Sequence, residues 1–384
     1  MTKPVAVRRR SAAFFPVLCA AILIGILLAG LWPRHVFSTN EASWLKTRNG
    51  LNFQRFGIAY TPEPVSGWMA GSGEGHPVSI EIVVNAGRES SYRLRRILSL
   101  YDDREGERCF IGQWKSGLIL RGRTPEPSRE KTPGEIGANG VLTQGRERFV
   151  AVVSGDDGTA IYVDGELRKF SRDFVLLGGG RPWHPCLAVG NSPDGKNPWE
   201  GDIFGLAIYD RRLAPEEIVS DYEAWRKDGS FPGVDGQGRL LRYRFDERGG
   251  TVARNSGGPR NDLSIPRSFR VPHRVVLGHN WRDQRIDRSF IADVVVNIAG
   301  FVPFGFFFFA WLSGRGGGIK ARDAVIVVLL GSGISLIIEI CQAFLPARTS
   351  STMDVISNTA GTVAGVVLFR VLSGRVRFPG RGAQ

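Results

Sequence analysis

The chain has 384 residues, 42% of them hydrophobic, and a net charge of +13. That length admits one large domain or two ordinary ones, and a mean hydropathy near zero suits neither a bundle made only of membrane helices nor a typical soluble enzyme. The basic excess favours anionic partners (lipid head groups, acidic wall polymers or nucleic acid), and the apolar spans below make nucleic acid the least fitting of the three.

The first apolar run, Phe14–Trp32, follows Lys3, Arg8, Arg9 and Arg10 and approaches the ~20 residues that cross a bilayer. It is long for the core of a signal peptide, and no small-x-small site precedes a polar stretch, so it reads as an uncleaved anchor. Three further spans are expected at about Phe290–Leu312, Ala324–Leu345 and Met353–Leu372. Four crossings put both termini on one side. Arg8–Arg10 against Arg34, with Arg375, Arg377 and Arg381 after the last span, make that side the cytoplasm. The link Ser313–Asp323, carrying Arg315, Lys320 and Arg322, agrees. Arg274, Arg282, Arg285 and Arg288 dissent, but they end a long translocated segment that largely escapes the charge rule. The expectation is a multi-pass protein of the cytoplasmic (inner) membrane in three parts: residues 1–33, a cytoplasmic tip and first helix; 34–278, an extracytoplasmic domain; and 279–384, three helices and a cytoplasmic tail.

Between the first two spans, short two-period runs are broken by Gly, Pro and Asp. They include Val78–Val84, Arg96–Tyr101, Leu118–Arg121, Phe149–Val153, Ile161–Val163, Leu187–Val189 and Ile203–Ile208. Many short strands at this spacing predict an antiparallel all-β sandwich, and Ser154–Gly158 is a hairpin connection. Asp102-Asp103 and Asp156-Asp157 flank turns and read as solvated loop carboxylates; no pattern supports calcium. Trp68, Trp114, Trp183 and Trp199 offer stacking surfaces for sugars, although core packing accounts for any one of them more simply. Cys19 and Cys341 sit in apolar runs as packing residues. Cys109 and Cys186 form a disulfide if this segment is exported and stay thiols if it is cytosolic; the orientation above predicts the bridge. No Cys or His spacing marks a metal site, and no cofactor is expected.

Arg148-Phe-Val-Ala-Val-Val and Ala160-Ile-Tyr-Val-Asp-Gly165 are followed by Leu187–Gly190, Trp199–Asp210 and Arg212-Leu-Ala-Pro-Glu-Glu-Ile218. This ordered set resembles the laminin-G-like, concanavalin A-like jelly roll. Leu241–Gly250 with Asn255–Gly258 resembles the strand that normally opens that fold, here placed late, so a permuted sandwich is expected with Leu241–Phe245 beside the final strands. Glucanases of this fold carry a Glu-x-Asp-x-x-Glu type run, which this sequence lacks. Glycan binding is what the resemblance implies.

In the last hundred residues, Asp293 and Asn297 are four apart and share a helix face, as do Asp354 and Asn358. Gly361 and Gly365 continue the second face as a small-xxx-small stripe for close helix contact. Each Asn lies ~6 Å deeper than its Asp, and Glu339 lies ~9 Å below the end of its span, so the levels match. With Gln342 and Arg348, these residues make an expected polar pocket at the outer end of the bundle. Pro303 lacks an amide hydrogen and is expected to bend its helix. The string Asp293-x3-Asn297-x3-Phe301-x-Pro303-x-Gly305, with Glu339-x-x-Gln342, Pro346, Arg348 and Asp354-x3-Asn358-x-x-Gly361-x3-Gly365, resembles the VanZ-like membrane family. That resemblance implies an envelope membrane protein and a link to glycopeptide susceptibility, with no established catalytic mechanism.

The sequence therefore points to a four-helix transmembrane bundle with a jelly-roll sandwich inserted between helices one and two. It leads to a binding protein for a cell-wall glycan or lipid-linked precursor, in contact with membrane lipids, with Arg348 holding a phosphate or carboxylate. A homo-oligomer is compatible with it. The rivals are a membrane enzyme acting on a lipid phosphate with Glu339 as base, for which no nucleophile or metal motif speaks, and a passive anchor for the sandwich.

Overall fold

A computed structural model describes residues 6–32, 38–68, 76–88, 90–104, 106–122, 134–178, 182–229, 231, 238–258, 260–278, 288–315, 319–345, 348 and 350–375. Lys3, Arg34, Arg282, Arg285, Pro346, Arg377 and Arg381 lie outside the described residues. The chain divides into two units, Phe37–Arg274 and the pair Met1–Val36 with Val275–Gln384.

The first unit is an antiparallel sandwich. Its early strands are β1 (Ser43–Trp44), β2 (Leu51–Phe53), β3 (Ala59–Tyr60), β4 (Val78–Ala86), β5 (Ser90–Asp102), β6 (Gly106–Lys115), β7 (Gly117–Arg121) and β8 (Glu135–Ala138). After them come β9 (Glu147–Gly155), β10 (Gly158–Val163), β11 (Glu166–Ser171), β12 (Cys186–Val189), β13 (Gly201–Tyr209), β14 (Arg239–Tyr243), β15 (Val252–Ala253) and β16 (Leu263–Ser264). One sheet runs β1-β2-β13-β4-β9-β10-β11, with β14 on β13; the other runs β15-β16-β3-β12-β5-β6-β7-β8. The late strand β14 pairs antiparallel with β13, Leu206 opposite Tyr243, as the permuted reading expects.

Alternation explains why these segments are strands. On β4, Val78, Ile80, Ile82 and Val84 enter the core between the sheets, as do Val150 and Val152 of β9. The opposite faces are apolar too, because helix α2 (Pro215–Asp228) covers them: Val83, Phe149, Ala151, Phe204 and Ala207 pack with Ile218, Trp225 and Phe231. Burial on both faces is why apolar residues also occupy the alternate positions of β9 and β13. Glu217 secures the start of α2 by accepting the Ala214 N–H at 2.8 Å, and Gly229 ends it at φ 62°, where a side chain would be strained.

The second unit comprises α1 (Ala6–Leu31), α3 (Arg288–Arg315), α4 (Ala321–Gln342) and α5 (Thr352–Arg375). All four are long and apolar enough to cross a membrane. Phe304, Phe309, Val327 and Val366 form their shared core, while Val296, Leu329, Ile337 and Val367 face outward, a distribution suited to lipid. α3 continues as helix through Pro303. Val275–Gly278 belongs with this unit rather than with the sandwich, because Gly278 bridges Ser351 ahead of α5.

Candidate functional site

Helix directions decide whether the polar residues meet. A Cβ on Gly361 would lie 2.2 Å from the Ile298 carbonyl oxygen, and one on Gly365 would lie 2.2 Å from that of Val302. Both positions advance together, so α3 and α5 are parallel and touch backbone to backbone. Gly305 closes the same seam, its Cβ position 2.1 Å from the Thr362 carbonyl oxygen. Between α4 and α5 the pairing runs oppositely: Ser332 with Thr359 at 3.0 Å, then Ser335 with Asn358 at 2.9 Å. α1 lies along α4 with its C-terminal end at that of α4, since the Gln342 side chain donates to the Gly30 carbonyl at 2.7 Å. The start of α3, the ends of α1 and α4, and the start of α5 therefore share one end of the bundle.

At that end Glu339 is 2% exposed. Its carboxylate accepts the Ser351 amide at 2.7 Å. Asp293 and Asn297 of α3 face Asp354 of α5, which in turn neighbours Glu339. Asp293 itself is exposed and Asn297 half-buried. Asn358, 5% exposed, gives its amide hydrogen to Ser335 while its carbonyl oxygen is buried without a partner. Arg348 departs from expectation. Its guanidinium donates to the Ala29 carbonyl at 3.0 Å and to that of Trp32, so it caps the C-terminus of α1 instead of clasping a carboxylate. The last carbonyls of a helix have no partners of their own and attract a cation.

The sequence thus named the residues at this end but missed two kinds of partner. Ser335 lies four residues before Glu339, on the same face of α4, and that spacing marks it. The α1 carbonyls carry no side-chain signal at all. At the opposite end Asp323 is buried in the first turn of α4, where the helix N-terminus favours a carboxylate.

Residues 244–373 match the VanZ/LLP1 family, and residues 104–219 match the concanavalin A-like lectin/glucanases superfamily. Helices α3–α5 of the bundle are VanZ-like, and strands β6–β13 of the sandwich are concanavalin A-like. With four helices long and apolar enough to span a bilayer and a VanZ-like segment among them, the chain is a membrane protein. No curated protein matches it in sequence. Among solved structures, a Bacteroides ovatus protein described as carbohydrate-binding is 15% identical, with 59% of this chain and 62% of that one covered at TM-score 0.40. A Limulus polyphemus pentraxin is 13% identical, covering 60% and 94% at TM-score 0.36. A Trypanosoma rangeli sialidase bound to the inhibitor DANA is 15% identical, covering 48% and 29% at TM-score 0.35. The chain thus spans less than two thirds of the first and the last of these, and the scores assign nothing to it.

Within the concanavalin A-like sandwich, Trp68, Trp183 and Trp199 are core residues, and Trp199 donates to Gln113 at 2.7 Å. Trp114, 40% exposed, alone of the four keeps a stacking face. Asp102 pairs with Arg108 at 2.7 Å, and Asp157 of the β9–β10 turn pairs with Arg212. The expected disulfide is corrected. Cys109 and Cys186 are free and buried. They sit on β6 and β12, either side of β5, opposite Leu100 and Tyr101 respectively. Neighbouring residues on a strand face opposite ways, so Cys109 joins the inter-sheet core while Cys186 packs outside with Ala188. Two strand spacings, roughly 9–10 Å, also exceed the ~7 Å a disulfide allows between Cα atoms.

Proposed function

We propose that this protein is a binding protein of the cell envelope rather than an enzyme. Its ligand is a cell-wall glycan or lipid-linked precursor, engaged at the polar end of the VanZ-like bundle, and the concanavalin A-like sandwich contributes glycan binding. The observation that carries this reading is the convergence of Asp293, Glu339 and Asp354 beside the unpartnered oxygen of Asn358 at one bundle end. Interhelical hydrogen bonds such as Ser332–Thr359 fasten α4 to α5 by themselves. Packing without charge does that at lower cost, so the buried Glu339 carboxyl, with Asp354 half-buried beside it, points to a ligand.

The orientation that fits places both termini in the cytoplasm, and the sandwich and polar end on the outer side. Glycopeptide susceptibility is the phenotype through which the binding is felt. The deciding experiment is native mass spectrometry of detergent-purified protein, comparing wild type with Glu339→Gln. A glycan or lipid-linked species retained by wild type and reduced at least about tenfold by the variant is the expected result. Equal retention refutes the reading. If teicoplanin susceptibility is unchanged when an unrelated span replaces the bundle, the protein is an anchor for its sandwich. Orientation is checked at the exposed turn residue Asp156: Asp156→Cys should react with a membrane-impermeant maleimide on intact cells.

A further inference from the structure

Among the described residues, two buried atoms at the polar end lack hydrogen-bond partners, and they are of opposite kinds. The Asn358 side-chain oxygen is an acceptor without a donor, and the Arg348 Nε is a donor without an acceptor. The Asn358 amide nitrogen donates to the Ser335 hydroxyl at 2.9 Å, which leaves the oxygen as the unmatched atom of that side chain. A buried polar atom without a partner costs the free energy of its desolvation, which a ligand atom of the complementary kind returns. One turn above Asn358 stand Asp354 and, across the seam, Glu339. With Asp293 they make three carboxyl groups against the single guanidinium of Arg348, whose terminal nitrogen is already given to the α1 carbonyls. A bare anion is repelled from such a site. A bare cation would leave the Arg348 Nε unmet.

Among the described residues no three His, Cys, Asp or Glu side chains gather closely enough to hold a metal ion, so a cation that donates hydrogen bonds suits the carboxylates. We propose that the ligand of this site is a zwitterion: a primary ammonium group enters the α4–α5 seam against Asp354, Glu339 and the Asn358 oxygen, and an attached phosphate lies towards Arg348. The chemistry is that of a phosphoethanolamine headgroup. This deepens the binding reading above and rests on it.

The test uses the full chain in detergent. Phosphatidylethanolamine, phosphatidylcholine and phosphatidylglycerol of identical acyl chains compete at equal concentration, and bound lipid is read by native mass spectrometry. Phosphatidylethanolamine should be retained at least about tenfold over both others, because the quaternary amine of choline has no N–H to donate and glycerol carries no cation. Asp354→Asn, nearly isosteric, should erase that preference while the protein still purifies folded, and Asn358→Ala should reduce it. Soluble O-phosphoethanolamine displaces the lipid if the headgroup alone is recognised; if only the intact lipid binds, the membrane is the source, and both results support the zwitterion. Equal retention of the three lipids, or a preference unchanged in Asp354→Asn, overturns it. Should a different lipid-linked ligand depend on Glu339, the binding reading survives and the zwitterion falls; should nothing depend on the cluster, both fall.

Discussion

Glu81 stands on the outer face of β4 beneath α2, 1% exposed, with Asp221 of α2, itself 3% exposed, facing it. Tyr209 donates to one Glu81 oxygen at 3.1 Å, and the other oxygen has no donor unless one of the two carboxyls keeps its proton. Burial first, then Asp221, raises Glu81 well above the usual carboxylate range, and burial raises Asp221 as well. The folded chain therefore holds a proton that the unfolded chain releases. Stability should be complete below the ordinary glutamate range and fall as pH climbs from there towards the raised value, by up to about 1.4 kcal/mol per pH unit for one proton. Glu81→Gln should flatten that decline in denaturant titrations at successive pH values; an unchanged slope would show that the pair shares no proton. Glu217 works in the other direction, held at about 2 by its hydrogen bond from Arg211 and then by the Ala214 amide, so its support for α2 is full above the ordinary glutamate range and is lost as pH falls from there towards 2. The cysteines give a second prediction. Burial pushes the Cys109 thiol up and that of Cys186 to about 11, so both should resist iodoacetamide at neutral pH until the sandwich unfolds. Reduction should leave gel mobility unchanged.

Elements were legible in the sequence where one physical rule governed them. Period-two runs marked β4, β9, β12 and β13, and the Asp-Asn-Gly spacing marked the α3 and α5 faces, because alternation and helical periodicity are local properties. What escaped was set by pairing. Cys109 and Cys186 carry no sign of facing opposite ways, since the β5 register decides it, and the α1 carbonyls that occupy Arg348 are invisible in side-chain patterns. The small-residue stripe can be tested at this scale. A Cβ on Gly365 would meet the Val302 carbonyl oxygen at 2.2 Å and the Phe306 nitrogen at 2.6 Å, whereas one on Gly333 of α4 meets nothing within 4 Å. Gly365→Ala should push α5 off α3 and cost about 1–3 kcal/mol or more by overpacking. Gly333→Ala should be neutral or slightly stabilising through helix propensity. Thermal unfolding of the bundle in detergent separates the two, and equal melting temperatures would mean the helices do not touch through their backbones.

For the molecule as a whole, the first helix must find three others that follow more than 250 residues later in the chain. Greasy surface alone gives it no preferred partner, because lipid tails are as apolar as the helix faces. The specific contacts are polar and lie at one end: Gln342 to the Gly30 carbonyl, Arg348 to those of Ala29 and Trp32, with the Gly30 Cα beside Ile338. An interhelical hydrogen bond in a membrane averages about 0.6 kcal/mol, and a charged donor adds to that, so the two side chains together supply a clasp of a few kcal/mol at most. Their removal should loosen α1 without unfolding α3–α5. Paired Gly30→Cys and Ile338→Cys substitutions in a protein otherwise free of cysteine report this directly, through the rate at which they cross-link under mild oxidant. Arg348→Ala with Gln342→Ala should slow that rate severalfold. Arg348→Lys should restore only part of it, since both bonds come from the guanidinium Nη2 and the shorter lysine side chain does not carry its ammonium as far. An unaltered rate in the double variant would place the recognition of α1 elsewhere along the helix, and Arg348 would then be free to serve a ligand alone.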